Sequence, residues 1–89
     1  MRFTWDESKR QSNLIKHGLE FKDGPRVFDG ATFSIADTRF DYGEDRFVTI
    51  GLLGSNVVVI VHSEDKDEIR IISMRKGTKN EQKIYFENI

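Results

Sequence analysis

The sequence predicts an α+β domain with a mostly antiparallel sheet of four to five strands, two N-terminal helices and one C-terminal helix. Two observations carry this prediction. Apolar segments of strand length, separated by short turns, fill the middle and end of the chain. Segments with helix-capping signals lie before and after them. The predicted order is β-α-α-β-β-β-β-α, in a single domain over residues 1–89, because this length leaves no room for a second core.

The chain begins with a predicted strand and helix. Arg2–Trp5 is a short apolar strand, and Asp6 can cap a helix over about Glu7–His17. The helix has acids at its start and cations at its end, as the helix dipole prefers. Its apolar stripe is thin and consists of Leu14 and Ile15. We therefore expect this helix to be a surface layer.

A shorter second helix is predicted over about Lys22–Phe28, with Val27 and Phe28 turned inward. Gly24 and Pro25 interrupt it near its start. Proline is tolerated in the first turn of a helix, because the N–H group that it lacks has no partner there. The helix is therefore kept in the prediction.

Four strands follow, joined by turns. They are predicted over Ala31–Ala36, Arg46–Leu52, Val57–His62 and Ile69–Met74. The third of these is continuously apolar, as expected of a central strand that is covered on both sides. The loop Asp37–Asp45 and the turn Glu64–Glu68 are acidic and are expected to be solvated turns or a docking surface.

The C-terminal stretch Ile69–Tyr85 is basic. A strand leads through Gly77 into a helix, and Thr78 to Glu81 has the capping-box form. Five cations share this stretch with one acid: Arg70, Arg75, Lys76, Lys79 and Lys83. Cations beside a polar helix start can hold a phosphate. The net charge of −1 argues against a general nucleic-acid coat but leaves room for one small anion-binding face.

Several classes of protein are excluded or disfavoured. The chain has no cysteine, which rules out a disulfide scaffold and a thiolate metal site and suits a cytoplasmic location. No run approaches the roughly 20 apolar residues of a membrane span, and the N-terminus is too polar for a signal peptide. The two histidines lie far apart and the acidic turns lack calcium-loop spacing, so we expect no metal site and no cofactor.

Three groups of residues coincide, in order, with those of a known family. They are Phe3-x-Trp5-Asp6, Asn13-x-x-Lys16-His17-Gly18, Phe21 and Val27-Phe28-Asp29; then Gly43-Glu44-x-Arg46 and Ile50-Gly51; then Ile69-Arg70-Ile71-Ile72-Ser73-x-Arg75-Lys76 with Glu81 and Tyr85. On these residues the chain resembles the BrnT family, toxins of type II toxin–antitoxin modules. It departs from the family pattern at Met74, at Gly77 and at Gly24-Pro25.

The resemblance implies a small RelE-like fold and an endoribonuclease activity that halts translation. It also implies a BrnA-like antitoxin with a ribbon-helix-helix DNA-binding domain. Toxin and antitoxin would together repress their own promoter, so DNA would be contacted only through the antitoxin complex.

RNA can be cut without a metal ion. The 2′-hydroxyl attacks the adjacent phosphate, a base and an acid move protons, and cations stabilise the charge on phosphorus. Arg70 and Arg75 are candidates for the last task, but five residues apart on an ideal strand they face opposite sides. They can share a site only if the strand twists, bulges or ends before Arg75. The alternative for Arg70 is a structural ion pair with Glu44, Glu64 or Asp65.

Other candidates carry alternatives of their own. His17 can transfer protons near neutral pH, or it can stabilise the end of its helix, and Lys16 shares both alternatives. Tyr85 can stack on a base or belong to the core. His62 is expected to be packed, and Glu81 to cap its helix. The candidate catalytic residues are Arg70, Arg75, Lys76, His17 and Tyr85, and the candidate substrate-binding residues are Lys16, Lys79 and Lys83.

Two other functions remain open from the sequence. The chain can be a non-catalytic partner that acts as a corepressor of a DNA-binding antitoxin. It can also be an RNA-binding domain that leaves RNA intact, in which case binding would fall steeply with salt.

Overall fold

Five strands form one mixed sheet in the computed structural model, which describes all residues from Met1 to Ile89. The elements in chain order are β1 (Arg2–Trp5), α1 (Glu7–His17), a 3₁₀ turn (Phe21–Asp23), α2 (Gly24–Phe28), β2 (Phe33–Ala36), β3 (Arg46–Leu53), β4 (Asn56–Asp65), β5 (Glu68–Lys76) and α3 (Lys79–Glu87). The strand order across the sheet is β1-β5-β4-β3-β2. Only β1 and β5 run parallel, so the predicted fold class and element order are confirmed.

The central strand β4 supplies both cores. Val58 and Ile60 pack with Phe21 and Val27 on one face of the sheet. Val57 and Val59 point to the opposite face and form a second cluster that includes Ile50 and Tyr85, under α3. The continuous apolar run in this strand was predicted to reflect burial on both faces of the sheet, and this prediction is confirmed.

Helix α1 lies on the surface, as predicted, but its inward residue is not apolar. Leu14 is 39% exposed and Ile15 is 88% exposed, so the predicted apolar stripe is wrong. The buried residue is Asn13, whose carboxamide meets the backbone of Met74. The reason is the short first strand: β1 ends where Trp5 pairs with Ile71, and β5 continues without an outer neighbour. Asn13 satisfies polar groups of that open edge.

Gly24 and Pro25 begin the second helix. A 3₁₀ turn precedes Gly24, and Pro25 occupies the first helical turn, where its missing N–H costs nothing. Gly24 is buried, and a Cβ there would lie 2.5 Å from Cδ1 of Ile71. This glycine therefore permits the close approach of α2 to β5.

Candidate active site

A β-bulge in β5 determines which side chains share a face. Val61 of β4 pairs with Ser73, whereas the next residue, His62, pairs with Ile71, so Ile72 is an extra residue. The bulge reverses the alternation of side chains beyond this point. Arg70 and Arg75 therefore point to the same face of the sheet, the face that α3 covers in part. Their partners on β4 are Val59 and Ser63, which are four positions apart, so the two arginines are about 13 Å apart along the sheet.

Arg75 is held by Glu81 at the start of α3. Its Nη1 and Nη2 donate to the two carboxylate oxygens of Glu81 at 2.7 and 2.8 Å. Glu81 also accepts the backbone N–H of Thr78 through its carboxylate, and its own backbone N–H donates to the hydroxyl oxygen of Thr78, which completes the predicted capping box. The guanidinium of Arg75 lowers the pKa of Glu81 to about 2, and the carboxylate raises the pKa of Arg75.

Arg70 lies in a different electrostatic environment. Its side chain is exposed and forms no ion pair within 4.0 Å, so the alternative of a structural pair with Glu44, Glu64 or Asp65 is not realised. It lines a cavity of about 390 Å³ together with five acids, Glu44, Asp45, Glu64, Asp65 and Glu68. These carboxylates oppose the approach of a phosphate.

A groove between α1 and β5 has the opposite character. It has a volume of about 230 Å³ and contains no acid; its lining includes Lys9, Ser12, Lys16, His17, Ile72 and Ser73. We call it the α1–β5 groove. His17 is half-buried near the end of α1, which Gly18 closes in a left-handed conformation. Neither lysine is ion-paired, so both ammonium groups are available to an anion.

Asn13 fixes the two walls of this groove relative to each other. Its Nδ2 donates to the carbonyl of Met74 at 2.9 Å, and its Oδ1 accepts from the N–H of Met74 at 3.1 Å. Met74 lies between Ser73 and Arg75 on β5. The carboxamide thus sets the distance between the α1 residues Lys16 and His17 and these two β5 residues.

The remaining candidates lie elsewhere. Lys76 faces a separate cavity beside the β3–β4 hairpin. Lys79 and Lys83 are exposed on α3, and Lys83 lies 3.9 Å from Glu87. Tyr85 is 1% exposed and its hydroxyl donates to the carbonyl of Ala31 at 2.8 Å, which favours the core role.

His62 also has the packed role expected of it. Its ring lies against Phe28 and Phe47, and its Nε2 is 2.6 Å from the hydroxyl of Thr49. Burial lowers its pKa to about 4. The ring is therefore neutral at physiological pH and belongs to the core.

The structure thus brings together Lys16, His17, Ile72 and Ser73 in one groove, with Arg75 two residues farther along β5. It places Arg70, Lys76 and Tyr85 outside that groove. Residue-by-residue reasoning missed three members of the groove, Lys9, Ser12 and Ser73. It also missed the bridge made by Asn13. The available signal was an amide, Asn13, on a helix with hardly any apolar stripe, because such a helix must be anchored by other means.

No group of three or more His, Cys, Asp or Glu side chains is arranged as metal ligands. None of the helices has the length and apolar character needed to span a bilayer.

Comparison with known proteins agrees with the resemblance noted in the sequence. The model of one protein family, described as "Ribonuclease toxin, BrnT, of type II toxin-antitoxin system", matches residues 5–81. A comparison with curated proteins finds no match. The matched range includes both walls of the α1–β5 groove and Arg75 with its partner Glu81. The chain therefore belongs to the BrnT family of ribonuclease toxins of type II toxin–antitoxin systems, a family whose members have RNA as target and an antitoxin as partner.

Proposed function

We propose that the chain is a metal-independent endoribonuclease toxin that inhibits translation and cleaves RNA at the α1–β5 groove. One observation carries the choice of site. Among the cavities of the protein, this groove combines cations, hydroxyl groups and a histidine without any acid. RNA phosphates are anionic, so the absence of carboxylates favours the groove over the larger cavity at Arg70.

The residues of the groove suit cleavage by the 2′-hydroxyl. That oxygen forms a bond to phosphorus while the bond to the 5′-oxygen breaks, leaving a 2′,3′-cyclic phosphate and a 5′-hydroxyl. We assign proton transfer to His17, because an imidazole can both take and give a proton near neutral pH. Lys16 and Lys9 would stabilise the charge that develops on the phosphate oxygens. Hydroxyl groups of Ser12 and Ser73 can donate hydrogen bonds to the same oxygens.

Arg75 is proposed to act beside the groove. Its ion pair with Glu81 uses two of the five N–H donors of the guanidinium, and a longer contact of 3.4 Å reaches the carbonyl of Lys76. Donors remain for a phosphate, which a planar guanidinium can hold through two oxygens. Lys79 and Lys83, exposed on α3, would contact the RNA backbone farther away. Arg70 is not assigned a role in cleavage, because five acids surround it. Tyr85 is not assigned one either, because it is buried.

For the partner, we propose a BrnA-like antitoxin with a ribbon-helix-helix domain, which would repress the shared promoter together with the toxin. The support is the family and the charge of the chain: a net charge of −1 argues against a general nucleic-acid coat. DNA would therefore be contacted by the antitoxin.

The test is cleavage of RNA by purified protein in the presence of a chelator. The wild type is expected to cut RNA and to leave cyclic phosphate ends, and His17→Gln is expected to lose at least about 100-fold in rate. Lys66→Gln, on the opposite β4–β5 turn, is the matched control and should retain activity. Antitoxin binding by each variant reports on folding. Full activity of His17→Gln would overturn the assignment, and cleavage abolished by the chelator would overturn metal independence.

A folded wild type that binds antitoxin but leaves RNA whole would favour a non-catalytic corepressor instead.

A further inference from the structure

A second cavity lies where the β3–β4 hairpin meets α3. It has a volume of about 190 Å³ and is lined by Ser55 and Asn56 from the hairpin, Lys76 and Gly77 from the end of β5, and Gln82 and Phe86 from α3, with Val57 at its base. We call it the hairpin cavity. Like the α1–β5 groove, it contains no acid.

Most polar groups of the hairpin cavity lack partners within the protein. Lys76 is exposed and forms no ion pair, and the side chains of Ser55 and Asn56 make no hydrogen bond. Gln82 donates to the carbonyl of Gly77 at 3.3 Å, which leaves its amide oxygen free. One cation and several uncharged donors and acceptors are therefore available to a ligand that has both a phosphate and a polar ring edge.

Phe86 adds an aromatic surface to this cavity. Phe86 is 59% exposed, although burial of a large apolar side chain lowers the free energy of a protein. It is supported from one side by Tyr85, with ring centroids 5.1 Å apart and an angle of 72° between the planes. Because Tyr85 is itself buried and hydrogen-bonded, it provides a rigid support for the ring. An exposed aromatic ring is what base stacking requires.

The hairpin cavity also lies near the proposed site of cleavage along β5. Lys76 follows Ser73 of the groove by three residues on β5, or about 10 Å along the strand. Arg75 lies between them and donates to the carbonyl of Lys76. The two cavities therefore follow one another along β5.

We propose that the hairpin cavity binds an unpaired nucleotide of the RNA substrate, adjacent to the nucleotides held in the α1–β5 groove. The base stacks on Phe86, the side chains of Asn56 and Gln82 contact its polar edge, and Lys76 contacts its phosphate. This inference rests on the proposed ribonuclease function and adds to it a subsite that selects single-stranded RNA, because a paired base cannot stack on a protein ring.

The test measures binding of a 2′-O-methyl RNA oligonucleotide, which cannot be cleaved, by fluorescence anisotropy. Phe86→Ala is expected to weaken binding at least about fivefold, since stacking of one base contributes about 1–3 kcal/mol. Phe86→Trp is expected to restore it. Lys76→Ala should reduce the salt dependence of binding by about one phosphate contact.

The matched control is Phe40→Ala. Phe40 is also an exposed ring, at 67%, and also packs against a tyrosine, Tyr42, but it lies beside the acids of the β2–β3 loop. RNA binding should not change in this variant. Equal loss in both variants would show a non-specific effect and overturn the subsite.

Two further outcomes separate this inference from the proposed function. If the wild type cleaves RNA and Phe86→Ala binds the oligonucleotide as tightly, the subsite is wrong and the ribonuclease stands. If Phe86→Ala weakens the antitoxin complex while RNA binding is unchanged, Phe86 belongs to a protein interface and the subsite is again wrong. A wild type that neither binds nor cleaves RNA would overturn both.

Discussion

Asn13 pairs with the backbone of Met74 as a neighbouring strand would, accepting from its N–H at 3.1 Å and donating to its carbonyl at 2.9 Å. The same Nδ2 approaches the carbonyl of Leu19 at 3.4 Å, beyond the end of α1. One buried side chain thus replaces a strand at the open edge of β5. It joins the helix that carries His17 to the strand that carries Arg75.

The first prediction concerns this bridge. Asn13→Ala leaves two buried backbone groups of Met74 without partners, at a cost of about 1–3 kcal/mol each. We expect the free energy of unfolding to fall by about 2–4 kcal/mol, measured by urea denaturation. Gln11→Ala, on the exposed side of α1, should change it by less than about 0.5 kcal/mol. A stability of Asn13→Ala equal to that of the control would show that the bridge contributes nothing.

Glu81 provides a second prediction, about pH. The hydrogen bonds from Arg75 are the main reason that the pKa of Glu81 in the folded protein is lowered to about 2. The ion pair therefore contributes its full stability above the ordinary pKa of 4.5, and this contribution is lost as the pH falls toward 2. Glu81→Gln should therefore be less stable than the wild type by about 1 kcal/mol at pH 7, and the difference should shrink at pH 2 to 3. Thermal denaturation at several pH values measures this.

The control for that experiment is Glu87→Gln. Glu87 lies 3.9 Å from Lys83, and both side chains are mostly exposed, so their pair contributes little. A difference between wild type and Glu81→Gln that does not depend on pH would contradict the electrostatic explanation and point to capping alone.

The buried ring of His62 leads us to expect a separate loss of folding stability in mild acid. Its ring is buried, the pKa is lowered to about 4, and Nδ1 lies 3.8 Å from Glu64, too far for a hydrogen bond. The unfolded chain binds a proton below pH about 6.5, and the folded protein does so only below pH about 4. Stability should therefore fall by up to about 3 kcal/mol between these values.

His62→Leu should remove this part of the pH dependence, and Thr49 would keep its other partner, Ser34, at 2.7 Å. His17→Gln is the control, because the ring of His17 is half-exposed at the surface. The slope of stability against pH should persist in that variant. If His62→Leu keeps the wild-type slope, the proton is taken up elsewhere.

The sequence was sufficient for the sheet but not for the site, and particular residues explain why. The strand β4 was recognisable because burial on both faces requires an unbroken apolar run, which is a local property. The bulge at Ile72 has no local signal, yet it decides that Arg70 and Arg75 share a face. The acids around Arg70 come from three separate segments, and only folding brings them together. The pairing of Arg75 with Glu81 is likewise tertiary, although the capping role of Glu81 was visible in four consecutive residues.

Close packing of α2 on β3 yields a prediction at Gly51. A Cβ there would lie 2.6 Å from Cγ1 of Val27 and 3.2 Å from Cγ2 of Thr32, and both of these side chains are β-branched and stiff. Gly51→Ala should reduce stability by about 1–3 kcal/mol through overpacking. Gly30→Ala is the matched control, since its nearest neighbour is 3.8 Å away, and it should be neutral or slightly stabilising. Equal stability of the two variants would mean that α2 can move away freely.

The two arginines of β5 offer the sharpest test of where RNA binds, because they lie on one face of one strand in different surroundings. Arg75 is paired with a single acid, Glu81, whereas Arg70 is unpaired in a cavity with five acids. Lysine keeps the charge of an arginine but cannot hold two oxygens in a plane. Arg75→Lys should lower the rate of RNA cleavage at least about tenfold, since it loses both the pairing with Glu81 and the fork offered to phosphate. Arg70→Lys should lower it far less, because five acids already keep phosphate away from that position. Cleavage rates are to be compared at equal concentrations of folded protein. The reverse order of effects would move the site from the α1–β5 groove to the cavity at Arg70, where the acids would then have to serve as proton acceptors.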